Sequence, residues 1–323
     1  MGAARRSGGR RAVITRGSTR RLLAGAGVVG VVAVGSVAYV WTPGEVRGVP
    51  SAYLARTPTA FADTPRVRFH YRREGTGPAV LLLHGGGTWS YSYRDTVEVL
   101  AKRYTVIAVD LPGHGYTEVT DPAFEYDLPA VTDALRDLLD ELDVPDVAAV
   151  GHSWGGGIAL AMAQRHPSRV RRLALIGSSG LDVEDTLTWR LLGTPVVGEI
   201  LSKLVRRQDV RSGLEQSFHH RDLVDDAMVD EVWPPLTFTG NRRAQYLLQR
   251  RLDWTQTQAA LPGTATPTLV LWGRQDAYLS ADHAARFQEL MPDARAQVID
   301  QCGHSAHEEC PDEVNTALLK FLT

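Results

Sequence analysis

The sequence predicts an α/β fold: a mostly parallel β-sheet covered by helices, with a helical unit inserted late in the chain. Three observations carry that reading. Short runs that are apolar at every residue alternate with stretches of helical periodicity, as strands buried on both faces require. The alternation stops at Gly180 and resumes near Thr266. Between them, residues 181–263 read as amphipathic helix with no buried strand, and so long a break is more than a plain connection.

The elements follow in order. RVRFHYRREG (66–75) alternates as a strand near a sheet edge, and AVLLLHGGG (79–87) is a buried strand entering a glycine loop. YRDTVEVLAKR (93–103) fits a helix, and YTVIAVDLPGHG (104–115) is a second buried strand that ends in a Pro/Gly turn. LPAVTDALRDLLDELDV (128–144) has apolar residues at helical spacing. VAAVG (147–151) reads as a strand, a helix is established by Ile158, and RRLALIGSSG (171–180) brings another strand. After the insert come the strand in TPTLVLWGRQD (266–276), a helix over 281–291, the strand AQVID (296–300) and a last helix over 312–322. Residues 46–65, rich in Pro, Ala and Thr, read as a linker. The organisation is thus 1–45, linker 46–65, a core of 66–180 and 264–323, and a helical cap of 181–263.

The net charge of −2 over 323 residues hides an asymmetry. Residues 1–21 hold seven arginines and no acid, which leaves 28 basic against 37 acidic residues, a net of −9, in the remainder. A body that acidic excludes nucleic acid as a partner, because phosphate binding needs a basic face. The arginines run directly into LLAGAGVVGVVAVGSVAYVW (22–41), twenty residues without a charge. A basic flank before an apolar stretch predicts a membrane anchor or an export signal, and STRRLL (18–23) resembles a twin-arginine signal. The expected location is therefore a single-segment membrane anchor or export from the cytoplasm. Cys302 and Cys310 suit a disulfide in an exported domain, although two unpaired thiols are the plainer reading.

The chemistry centres on GHSWG (151–155), placed between a buried strand and a helix. A serine on so sharp a turn takes a strained backbone, and glycines two residues either side avoid collision. Its oxygen then stands clear at a helix N-terminus, where free N–H groups favour developing negative charge. Neither G-x-G-x-x-G nor G-K-[ST] is present, so a nucleotide site is excluded. Serine needs a base. His304 follows the last strand, where a loop can overhang the serine, and His307 is its competitor nearer the last helix. His84 and His114, in glycine-rich loops, are expected to hold backbone. Asp276 directly follows a buried strand and suits the role of orienting carboxylate. HGGG (84–87) offers an oxyanion donor at Gly86, with Gly87 as the alternative, to act beside the N–H of Trp154. HSAHEE (304–309) lacks the H-E-x-x-H arrangement, so neither a metal nor any other cofactor is expected.

LLLHGGG, DLPGHGYT, GHSWGGGIAL, LWGRQD and CGHSAHEECPDEV stand in an order that resembles the α/β-hydrolase superfamily, in its capped serine hydrolase branch, over about residues 66–322. The resemblance implies an eight-stranded, mostly parallel sheet, a cap inserted before the last two strands, a Ser153–Asp276–His304 triad and a site beneath the cap. Relatives that open epoxides or displace halide carry aspartate at the turn, so Ser153 excludes those activities. The implied reaction is hydrolysis of a carboxylic ester, lactone or thioester through an acyl-enzyme. The alternatives are carbon–carbon or amide cleavage by the same triad, and a non-catalytic ligand-binding protein. Trp89, Tyr91, Tyr93 and Trp154, with Trp189, Trp233 and Trp254 of the cap, are either walls of a site for a small hydrophobic ester-like substrate or core packing.

Overall fold

In the computed structural model the described residues are 2, 45–46, 51–183 and 187–323. The expected signal or anchor over 1–45 therefore falls almost wholly outside them. No helix among the described residues is long and apolar enough to cross a membrane.

The sheet is built from β1 (Ala60–Asp63), β2 (Val67–Glu74), β3 (Ala79–Leu83), β4 (Thr105–Val109), β5 (Glu118–Val119), β6 (Val147–His152), β7 (Val170–Ile176), β8 (Thr268–Gly273) and β9 (Ala294–Ile299). The strand order is β1-β2-β4-β3-β6-β7-β8-β9, with the two-residue β5 paired to β2. The sheet is parallel from β4 to β9 and antiparallel at β1, β2 and β5. It thus has nine strands where eight are implied by resemblance, the ninth being the short β5. The core helices are α1 (Arg94–Leu100), α2 (Leu128–Glu141) and α3 (Trp154–Arg165). The cap helices are α4 (Leu187–Leu192), α5 (Val197–Leu204), α6 (Arg207–Ser217), α7 (Asp226–Leu236), α8 (Thr239–Arg251) and α9 (Trp254–Ala260), all between β7 and β8. The chain ends with α10 (Asp282–Leu290), α11 (Ala306–Glu309) and α12 (Pro311–Leu322).

The all-apolar strands follow from burial on both faces. In β3, Leu81 and Leu83 pack in the cluster under α2, α3 and α10. Val80 and Leu82 point the other way, into the cluster closed by α1 and α12. Successive side chains alternate sides, so neither face can be polar.

The linker assignment needs correction. Residues 60–63 form β1, an edge strand paired antiparallel with β2. Only Ala62 in it is buried, so it is held by backbone bonds and leaves almost no hydrophobic pattern to read. Residues 51–56 are also fixed. Glu231 of α7 accepts from Ser51 Oγ at 2.6 Å and from Tyr53 N at 2.9 Å. Tyr53 is buried against Trp89 and Tyr91 in a small core shared with the cap. Cys302 and Cys310 form a disulfide rather than two free thiols. Eight residues apart, they meet because the chain turns back between β9 and α12.

Removing the Glu231 carboxylate strands the buried Tyr53 N–H and the half-buried Ser51 hydroxyl. Glu231→Ala is expected to cost about 1–3 kcal/mol and to open residues 51–56. The readouts are an earlier denaturation midpoint and faster tryptic cleavage after Arg56; unchanged values for both would show that this strap is held by other contacts.

Candidate active site

Ser153 joins β6 to α3 with φ 51° and ψ −121°, a conformation that costs a non-glycine residue roughly 1–3 kcal/mol. The surroundings enforce it. Ser153 N donates to Ile176 O at 3.0 Å, and Ser153 O accepts from Gly156, Gly157 and Ser179 N–H groups at 3.0–3.2 Å. A Cβ at Gly151 would run into the carbonyl of Gly155, and one at Gly155 would meet the Leu83 and His84 carbonyls. The glycines are therefore needed for close approach of backbone to backbone.

His304 sits in the loop between β9 and α11. Its Nδ1 lies 2.8 Å from Asp276 Oδ2, with the Asp276 side chain fully buried. A carboxylate only accepts, so Nδ1 carries the hydrogen and Nε2 is the basic nitrogen. The other Asp276 oxygen accepts from the N–H groups of Tyr278 and Leu279 at 2.8 and 2.9 Å, which fixes the carboxylate. Ser153, His304, Gly86 and Trp154 line one cavity of about 410 Å³. The structure thus brings the five sequence-derived candidates to one place: four around the cavity, and Asp276 behind His304. His307 lies elsewhere, fully buried between Tyr93 and His152, with no hydrogen-bond partner among the described residues for either ring nitrogen. It is not the base.

The glycine-loop histidines hold backbone. His84 Nδ1 donates to Gly85 O at 2.7 Å, and its Nε2 accepts from Leu111 N at 2.9 Å. His114 packs on the His84 ring. The aromatic expectations divide. Trp154 and Trp254 line the cavity. Trp89 and Tyr93 are fully buried, Tyr91 is nearly so, and Trp233 packs against the same cluster as Tyr91, so these four are packing. The Trp189 side chain lies outside the described residues.

Two residues that support the site escaped the sequence reading. Asp110 bonds His70 Nδ1 and the backbone N–H groups of Ser90 and Tyr116, all within 2.9 Å, anchoring the chain after the glycine loop. Burial pushes its pKa up, but the hydrogen bond and charge of His70 outweigh that and hold it below its ordinary value. Glu309 accepts from Gly303 N at 2.6 Å, His219 N at 3.1 Å and His220 N at 2.6 Å. It stitches the cap to the loop of His304, a connection between residues about 90 apart that no local pattern announces. Among the described residues, no group of three or more His, Cys, Asp or Glu side chains is placed to hold a metal ion.

Comparison with known proteins agrees with the fold. The family profile described as alpha/beta hydrolase fold matches residues 78–311. The chain is 30% identical over 281 residues to a cis-3-alkyl-4-alkyloxetan-2-one decarboxylase of Shewanella oneidensis, covering 79% of this chain and 85% of that protein. It is 29% identical over 288 residues to a 2-hydroxy-6-oxo-6-(2'-aminophenyl)hexa-2,4-dienoic acid hydrolase of Metapseudomonas resinovorans, covering 84% and 92%. The solved structure of a meta-cleavage product hydrolase from Pseudomonas fluorescens superposes with a TM-score of 0.72 at 25% identity, over 81% of this chain and 97% of that one.

Several histidines behind the site are buried and neutral. Burial, then the charge of Arg94, lowers His307 to about 3; burial, then His84, does the same to His114. Burial also holds His152 well below its usual value. The unfolded chain takes up these protons near pH 6.5 and the folded one does not. Their penalty is absent above that pH and grows below it, by about 1.4 kcal/mol per pH unit per group. Chemical denaturation between pH 7 and pH 5 should therefore show falling stability, with a slope one proton shallower in His307→Met. An identical slope in the variant would remove His307 from this account.

Proposed function

The chain belongs to the α/β-hydrolase fold family and is an enzyme of it, and on that premise we propose that it is a serine hydrolase of uncharged carboxylic esters, lactones or thioesters. One observation carries the reading. A serine held in a strained turn and a histidine already bonded to a buried carboxylate line the same cavity. His304 Nε2 takes the Ser153 hydroxyl proton as Oγ attacks the carbonyl carbon. The N–H groups of Gly86 and Trp154 receive the oxyanion, each worth roughly 3–4 kcal/mol of barrier. The imidazolium, stabilised by Asp276, returns the proton to the leaving alcohol or thiol, and water then hydrolyses the acyl-enzyme by the same steps. The membership and the arrangement of these groups speak against a protein that only binds ligands.

Charge separates ester cleavage from the carbon–carbon alternative. The relatives named as dienoic acid hydrolases act on substrates that carry a carboxylate. Among the described residues no lysine or arginine lines this cavity to pair with a carboxylate, and its two acids, Asp209 and Glu308, already face Arg206 at 3.9 Å and Arg94 at 2.6 Å. Such a lining disfavours an anion and suits a neutral substrate, and Leu181, Val205, Leu214 and Trp254 supply apolar wall for its hydrocarbon.

A fluorophosphonate should label the wild type at Ser153. Ser153→Ala should lose the label and at least about 10³-fold in turnover of a neutral aryl ester, with its melting temperature kept. Neutral esters of increasing chain length should be far better substrates than a dienoate ketone acid. Comparable turnover of that acid would move the assignment to carbon–carbon cleavage.

We also propose that residues 1–45 bring the catalytic unit to, or across, a membrane. The seven arginines before an uncharged stretch of twenty residues support this. Replacing Arg20 and Arg21 with lysine keeps the charge and should block export if a receptor reads the twin arginines. Cell fractionation checks this, and full-length wild-type protein found soluble in the cytosol would end the membrane reading.

A further inference from the structure

We propose that the face of the cap formed by α4 and α5 rests on an anionic lipid bilayer. The inference extends the membrane reading of residues 22–41 and depends on it. The first observation is apolar exposure. Leu191, Val196, Val197 and Leu201 are 37–52% exposed, whereas most large apolar side chains among the described residues are buried. Val197 and Leu201 are four apart on α5 and share one helix face. The adjacent side of α5 is already occupied, with Gly198 buried against the Leu192 carbonyl and Tyr246 of α8.

Charge is the second observation. Residues 187–207 contain Arg190, Lys203, Arg206 and Arg207 against Glu199 alone, a net of +3 within a body whose net charge is −9. The Arg206 side chain is 67% exposed and that of Lys203 42%; Lys203 pairs with Glu199 at 3.0 Å, Arg206 lies 3.9 Å from Asp209, and Arg207 bonds Asp226 and Asp230, so the basic groups sit at the edge of the face with acids on their far side. An exposed apolar face rimmed by Lys and Arg is the composition of a segment lying at the headgroup level of an anionic membrane.

The third observation is where the chain enters the cap. Glu45 Oε1 accepts from Thr239 N, and Val46 N donates to Thr237 Oγ1, each at 2.7 Å, at the start of α8. Tyr246, against which α5 packs, is seven residues further along α8, about 10 Å. Only three residues separate Trp41 from Glu45, four steps along the chain with a reach of at most about 14 Å. With 22–41 in lipid, the covalent chain therefore holds this side of the cap close to the bilayer. An apolar face in that position meets hydrocarbon and headgroups instead of water.

The test uses the full chain with single added cysteines, Val197→Cys, Leu201→Cys and, as control, Thr316→Cys on α12, each labelled with an NBD fluorophore under non-reducing conditions. Vesicles contain phosphatidylglycerol or only phosphatidylcholine, and flotation measures binding independently. With phosphatidylglycerol, labels at 197 and 201 should brighten several-fold, shift to the blue and be quenched by nitroxide lipids, while the label at 316 stays unchanged. Val197→Glu/Leu201→Glu should keep turnover of a water-soluble short ester but lose at least about tenfold on an ester presented in the same vesicles. Protein that floats while the 201 label remains water-like overturns the cap-face proposal and leaves the anchor standing. Protein that does not float overturns both. A label at 201 that is already blue without vesicles shows the face covered by protein, by residues 22–41 or a second copy, and overturns lipid as its partner.

Discussion

Everything in the active site depends on one turn, the passage from β6 to α3 through Ser153. Its backbone is unfavourable in isolation and is held by a set of main-chain hydrogen bonds reaching Ile176 and Ser179. The turn works only if β6, β7 and α3 approach closely, and side chains at 151 and 155 would prevent that. The central parallel strands thus act as a frame that stores local strain at Ser153. The same frame sets the ends of β8 and β9 beside it, so Asp276 and His304 arrive from distant parts of the chain on the same edge of the sheet.

The cap is attached to this frame at a few polar points. Glu309 binds the segment after α6 to the loop of the base, reinforced by Ser305 N donating to Ser217 O at 3.0 Å. Glu231 binds the strap of residues 51–53 to α7. Thr257 Oγ1 donates to Gly180 O at 2.8 Å, closing α9 onto the core where the insert begins. Each is a buried acceptor that collects donors from segments far apart in sequence. A hydrogen bond of that kind adds modest net stability but is costly to break, because its partners are then left buried and alone. The cap and the base loop therefore share one set of constraints at the α6 corner.

The sequence made the frame and the placement of the candidate site residues legible because each carries a local mark. Apolar runs announce strands buried on both faces, and glycines on each side of Ser153 announce the sharp turn. Asp276 and His304 could be read from position, each following a strand at the sheet's C-terminal edge. What could not be read is what depends on distant partners. β1 has a single inward residue and borrows its order from β2. Asp110 lies within DLPGHGYT, yet its role appears only once His70 and Ser90 are beside it. Glu309 seemed one acid among several near a histidine pair, and its three donors come from Gly303, His219 and His220. The aromatic residues following the glycine loop are equally apolar as walls or as core, and only packing decides that Trp89 and Tyr93 are core.

The disulfide between Cys302 and Cys310 closes a ring of nine residues that contains His304. By the chain-entropy account, so small a ring removes about 2–3 kcal/mol of disorder from the unfolded polypeptide. That contribution exists only where the environment is oxidising; glutathione and thioredoxin keep such pairs open in a cytosol. One sequence therefore has two stabilities, and the difference falls on the loop that carries His304. The rigidity of the His304 loop thus depends on the redox state of its surroundings, firm where the disulfide closes and looser where the two thiols stay reduced.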